Sequence, residues 1–251
     1  MHETPRDEIS PVGPFDRWPT RGLGFDRFYG FMGGEMNQWY PALYDGTAAI
    51  TQPKLPKDGY HFSEDIVDRA ISWISDVKSL TRQPFFCYLP FGATHAPFHV
   101  PPGWAERYRG MFDHGWDAQR ERTLARQKEM GIVAEDTVLA PWAPGVPHWD
   151  ELSDDERTAS AKLMELYAGF AEHTDAQVGR LVDALEEMGE LDDTLFLYIL
   201  GDNGASPEGQ MLGTASEYHG WNDLPVSSET ILEVGDNLGD EQTWPHYAVG
   251  W

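Results

Sequence analysis

The sequence predicts an α/β fold with a mostly parallel sheet flanked by helices and long irregular loops. Two observations predict it. Two short runs, Phe85 to Phe91 and Thr194 to Leu200, are almost continuously apolar, as expected of strands buried on both faces. Between them, residues 153–188 carry apolar side chains at helical spacing. A strand, a long helical crossover and a second strand imply a parallel pair with a right-handed connection.

Residues 1–60 show little periodicity. Gly22, Gly24, Gly30, Gly33 and Gly34 interrupt Phe25, Phe28, Tyr29 and Phe31, which reads as irregular structure packed by its own aromatics. Helix is predicted over 63–75, with Ser63 as N-cap and Glu64 and Asp65 in the first turn. Its apolar face is Ile66, Val67, Ala70, Ile71 and Ile74. The first apolar strand then holds the single cysteine, Cys87, which reads as a small buried hydrophobe; one cysteine permits no internal disulfide. Part of 103–131 is helical, chiefly 117–130, and 132–150 is a loop punctuated by Pro141, Pro144 and Pro147. Ser153-Asp154-Asp155-Glu156 fits a capping box, and Gly189 is placed to end the long helix. After the second apolar strand, 205–251 is polar, aromatic and irregular, and there is no internal repeat.

The formal charge is −24, with 18 basic against 42 acidic residues. That balance opposes binding to nucleic acid or anionic lipid and leaves no basic stripe for either. No apolar run approaches a membrane span, and the first residues lack the pattern of a signal peptide.

In an open parallel sheet, ligands collect beyond the C-terminal ends of the strands. Two polar segments sit there: Gly92-Ala93-Thr94-His95-Ala96-Pro97-Phe98-His99 and Gly201-Asp202-Asn203-Gly204-Ala205-Ser206. Asp202 and Asn203 offer hard oxygens suited to Ca²⁺ or Mg²⁺, and Asp-Asn-Gly is also a common turn. His95 reads either as a donor to an anion or leaving group, or as a strand-end histidine bound to backbone.

These segments, in order, resemble the sulfatases of the arylsulfatase type. Gly201-Asp202-Asn203-Gly204 is similar to their metal motif, and Thr94-His95-Ala96-Pro97 to their Thr-His-x-Pro segment. Gly24 to Phe31, Gly34-Glu35, Gln38-Trp39-Tyr40-Pro41, Glu172-His173-Thr174-Asp175 and Val178-Gly179-Arg180-Leu181 also match. Met1-His2 looks like the end of their Gly-Lys-x-His. The resemblance implies an alkaline-phosphatase-like α/β sandwich, of which residues 1–251 form a partial catalytic domain, a single domain cut at both ends. It also implies hydrolysis of small organic sulfate esters. The family's nucleophile is a formylglycine made in a Cys/Ser-x-Pro-x-Arg motif, and its divalent metal, Ca²⁺ first and Mg²⁺ second, polarises the sulfate. Asp202 and Asn203 would be metal ligands, His95 would contact the sulfate and protonate the leaving oxygen, and His2 would contact the formylglycine hydroxyl.

The nucleophile motif does not occur in this sequence; Cys87 is followed by Tyr88-Leu89-Pro90-Phe91. Two oxygen ligands do not fill a calcium shell. The resemblance therefore implies an isolated chain that is inactive and prone to self-association through uncovered strand edges. The alternatives are a phosphodiesterase or phosphonate monoester hydrolase of the same superfamily, and a truncated, non-catalytic binding paralogue.

Overall fold

The structure, a computed structural model, describes residues 4–81, 83–201 and 207–251. It consists of two compact units. One is Met1–His99 with Ala171–Leu200; the other is Val100–Phe170 with Gly201–Trp251.

The first unit contains a sheet that the sequence does not announce. Strands β1 (Tyr29–Phe31), β2 (Leu43–Asp45) and β3 (Ala48–Ile50) pair antiparallel in the order β1-β2-β3. Leu43 faces Ile50 and Asp45 faces Ala48. The two-residue β2–β3 loop starts at Gly46, whose φ of +62° suits a hairpin turn and strains other residues. This sheet differs from the predicted one: the paired strands among the described residues are antiparallel.

Helix α1 spans Phe62–Leu80, longer than predicted. Its N-cap is His61 rather than Ser63: the His61 ring accepts the Ser63 N–H. Ile66, Val67, Ala70 and Ile74 are buried, as the helical spacing requires. Ile66, Val67 and Ile74 join Leu43, Tyr60, Phe62, Leu181 and Leu185 in one core. Asp65 is buried among them because the Tyr29 and Tyr60 hydroxyls donate to Oδ2, at 2.5 and 3.0 Å.

The segments predicted as strands buried on both faces are placed differently. Phe85, Cys87, Leu89 and Phe91, and Phe196 from the second segment, pack against the core. In the first segment the alternate residues Phe86 and Tyr88 are exposed; in the second Leu195 is exposed and so are all of Leu197, Tyr198, Ile199 and Leu200. The alternation across Phe85–Phe91 is the period of extended chain. Among the described residues no backbone hydrogen bond pairs either segment with another strand, so the outer face lies open. Cys87 is partly buried, and burial pushes its thiol pKa up, away from a reactive thiolate.

Helix α3 spans Asp154–Glu187. Its predicted capping box is present: Ser153 N–H donates to Glu156 Oε2 at 2.8 Å and Glu156 N–H to Ser153 Oγ at 3.3 Å. Gly189, at φ +70°, follows its end. Residues up to Phe170 belong to the second unit and later ones to the first.

In the second unit, α2 spans Gly115–Glu129 and buries only Gly115 and Trp116. Trp116 is the anchor. It packs edge-on against Trp149 and Trp251, in a cluster with Leu152 and Ala248, and donates its indole N–H to Pro147 O at 3.2 Å. Gly115 is required there, since a Cβ would lie 2.1 Å from the Trp149 ring. Short helices α4 (Glu217–Trp221) and α5 (Ser228–Val234) punctuate the otherwise irregular C-terminal segment. Among the described residues, no helix is long and apolar enough to cross a membrane.

Candidate functional site

Of the four predicted site residues, the structure places His95. His2, Asp202 and Asn203 lie outside the described residues.

His95 follows the extended Phe85–Phe91 segment, in a tight loop. Its N–H donates to Gly92 O at 3.1 Å, and the His99 N–H donates to Pro97 O at 2.8 Å. The Ala93–Thr94 and Ala96–Pro97 peptides flanking it are cis. Gly92 lies where a Cβ would meet Gln38 Nε2 at 2.9 Å and the Phe31 ring at 3.0 Å. Glycine therefore lets the loop lie against β1 and the residues that follow it.

The His95 side chain is 47% exposed, so solvent and small solutes reach it. Nδ1 lies 2.9 Å from Ala96 O. A carbonyl only accepts, so Nδ1 carries the proton, and Nε2 is left for an external group. Glu35 Oε2 stands 3.7 Å from the same Nδ1. An imidazolium formed at His95 would have that carboxylate as its counter-charge. The sequence reading included Glu35 in a matching segment without giving it a role; it lies 60 positions away, and only the fold brings it to His95.

Below this pair lies a set of buried histidines. His61, His99 and His173 are all essentially inaccessible. His61 Nε2 is 3.1 Å from His99 O, and His99 Nδ1 accepts the Gln38 N–H at 3.1 Å. The His61 and His173 rings meet edge-on at 4.6 Å, and His173 Nε2 is 3.3 Å from Glu64 Oε1. Burial, with His173 and His99 close by, holds the His61 pKa well below its ordinary 6.5. The His173 hydrogen bond lowers the Glu64 pKa against an opposing burial effect.

Three imidazoles and a carboxylate invite a metal reading, which the geometry does not support. Among the described residues, no group of three or more His, Cys, Asp or Glu side chains could hold a metal ion. Both His61 nitrogens and His99 Nδ1 are engaged with backbone groups. The two ligands implied by resemblance, Asp202 and Asn203, are outside the described residues.

Comparison with known proteins places these features in a family. The sulfatase family model matches residues 6–232. An uncharacterized sulfatase of Schizosaccharomyces pombe is 33% identical over 94% of this chain and 43% of its own length. An arylsulfatase of Klebsiella aerogenes is 29% identical over 91% of this chain and 48% of its own. An arylsulfatase of Clostridium perfringens is 24% identical over 70% of this chain and 31% of its own. The chain thus spans less than half the length of these relatives.

Proposed function

The chain belongs to the sulfatase family, and on that premise we propose that residues 1–251 supply part of the active site of a sulfuric ester hydrolase acting on aryl or other small organic sulfates. Membership of the family implies its alkaline-phosphatase-like α/β fold, and family members use a divalent metal and a formylglycine nucleophile.

The observation that carries the reading is the His95 loop: a half-exposed imidazole, its Nδ1 proton committed to a backbone carbonyl, with the Glu35 carboxylate beside it. Sulfate-ester cleavage needs a donor for the departing alkoxide or phenoxide. With Nδ1 bound to Ala96 O, His95 presents Nε2 alone to a substrate. In its protonated form, Nε2–H donates to a sulfate oxygen or delivers its proton to the leaving oxygen. After transfer the neutral Nδ1–H tautomer is already the one the loop holds.

The other roles follow from resemblance. Asp202 and Asn203 would hold the divalent metal, Ca²⁺ before Mg²⁺, whose chemistry is polarisation of sulfate oxygens. His2 would orient the nucleophile. The formylglycine motif does not occur in residues 1–251, so the nucleophile has to come from polypeptide outside them. The partial catalytic domain is a single functional entity on this reading, and its partner is a small sulfate ester rather than nucleic acid or membrane.

The test compares 4-nitrophenyl sulfate with 4-nitrophenyl phosphate, using a polypeptide that joins residues 1–251 to a segment carrying Cys/Ser-x-Pro-x-Arg. Faster sulfate turnover supports the reading. Faster phosphate turnover shifts the assignment to a phosphoester or phosphonate ester hydrolase. Neither activity, in a folded protein, leaves a non-catalytic paralogue.

A further inference from the structure

We propose that His61 and His99 are positioning residues that hold His95 and Glu35 together through a closed ring of four hydrogen bonds. The proposal rests on the reading of His95 as the group that meets substrate.

The ring runs through three chain segments. Gln38 N–H donates to His99 Nδ1 at 3.1 Å. His99 O accepts from His61 Nε2 at 3.1 Å. His61 Nδ1 accepts the Ser63 N–H at 3.2 Å, which caps α1. The adjacent Phe62 N–H donates back to Gln38 O at 2.9 Å. His61, His99 and Gln38 are all essentially buried, so each bond lies where water does not compete.

The ring fixes protons as well as positions. A backbone N–H only donates and a carbonyl only accepts. His61 is therefore the neutral ring with its proton on Nε2, and His99 is unprotonated at Nδ1. Either ring turned over, or charged by a second proton, sets donor against donor. His173, with its Glu64 partner, is the neighbouring titratable group across the His61 ring.

The placement matters because each side of the ring carries one member of the candidate pair. Glu35 lies three residues before Gln38 and His95 four residues before His99. The Gln38–His99 bond therefore joins the two segments whose side chains meet at 3.7 Å. Gly92, against Gln38 Nε2, closes the same contact from the other end of the loop.

The experiment uses residues 1–251 and needs no turnover, so its failure is separable from failure of the sulfatase reading. Long-range ¹H–¹⁵N spectra give the ring tautomers; the proposal expects both His61 and His99 protonated at Nε2 alone. A proton on Nδ1 of either ring overturns it. His99→Asn keeps an acceptor near the Nδ1 position, and His99→Leu removes it. The expected result is loss of the His95–Glu35 nuclear Overhauser contacts in the leucine variant. With it, exchange of the Gln38 amide should be at least roughly tenfold faster. The asparagine variant should retain both. Retention of the His95–Glu35 contacts in the leucine variant, or their loss in both variants with the core resonances intact, overturns the proposal. If the leucine variant does not fold, the wild-type tautomers and the asparagine variant decide it.

Discussion

Self-association of the isolated chain through the Thr194–Leu200 segment is an expectation, and replacing Leu197 and Ile199 by lysine should break it. Both side chains lie on the open face of the extended Thr194–Leu200 segment, 72% and 84% exposed. With Leu195 and Leu200 of the same segment they expose apolar surface on the order of 500 Å². That approaches the ~800 Å² per partner of a standard interface and the upper end of single patches on monomers. The segment has no charge and no proline, and nothing pairs its backbone among the described residues, so a second copy can add to it as a strand. The two substitutions remove roughly 150 Å² per copy. At ~25 cal/mol per Å² over two copies, that is at most ~7 kcal/mol, part of which association costs consume. A weakening of roughly 100-fold or more in the dimer constant is expected. Lysine also makes the −24 chain less negative, so long-range repulsion falls and cannot explain the loss. Sedimentation velocity over a wide concentration range reads the outcome. A wild-type chain that stays monomeric, or a variant that associates equally well, refutes the reasoning.

Two further outcomes follow from the buried polar groups of the first unit. His61 is held neutral by burial, its pKa below 6.5, whereas in the unfolded chain it takes up a proton as pH falls through that value. Its contribution is thus complete above about pH 6.5 and declines below it, by up to ~1.4 kcal/mol per pH unit for one proton. Glu64, lowered from 4.5, adds a loss of the same sign at lower pH. Urea titrations showing constant stability from about pH 7 to about pH 5 would contradict this. Asp65→Asn weakens the acceptor shared by the Tyr29 and Tyr60 hydroxyls, both of whose pKa values burial and Asp65 raise. It should cost about 1–3 kcal/mol in a denaturant melt; no change would mean that the two bonds contribute nothing net.

Helix α3 and its capping box were legible because a long 3.6-residue period and a Ser-x-x-Glu start are local signals. The small antiparallel sheet was not, because its strands are three residues long and its sequence is dominated by glycine and aromatics. The two apolar runs read as strands of a parallel pair, and among the described residues neither forms a paired strand. Their burial was not legible, because sequence reports apolarity and not the presence of a pairing strand. Its place at the end of an apolar run makes His95 equally a histidine bound to backbone, as its Nδ1 is to Ala96 O, and only the Thr-His-x-Pro resemblance singles it out. The ring through His61, His99 and Gln38 was not legible, since each histidine alone looks like any buried or capping residue. The sequence points to Ser63 as the cap because hydroxyls usually fill that position, whereas the His61 ring fills it here.

The most direct measurement of the central claim is the effect of His95→Ala on aryl sulfate turnover, in a polypeptide that joins residues 1–251 to a formylglycine motif. Loss of a general acid that acts in the transition state predicts kcat lower by roughly 10²–10⁴-fold. The loss should shrink for substrates whose leaving phenol is already acidic, and the melting temperature should stay that of the parent. A folded variant retaining kcat within about twofold would contradict the assignment of His95 to the chemistry.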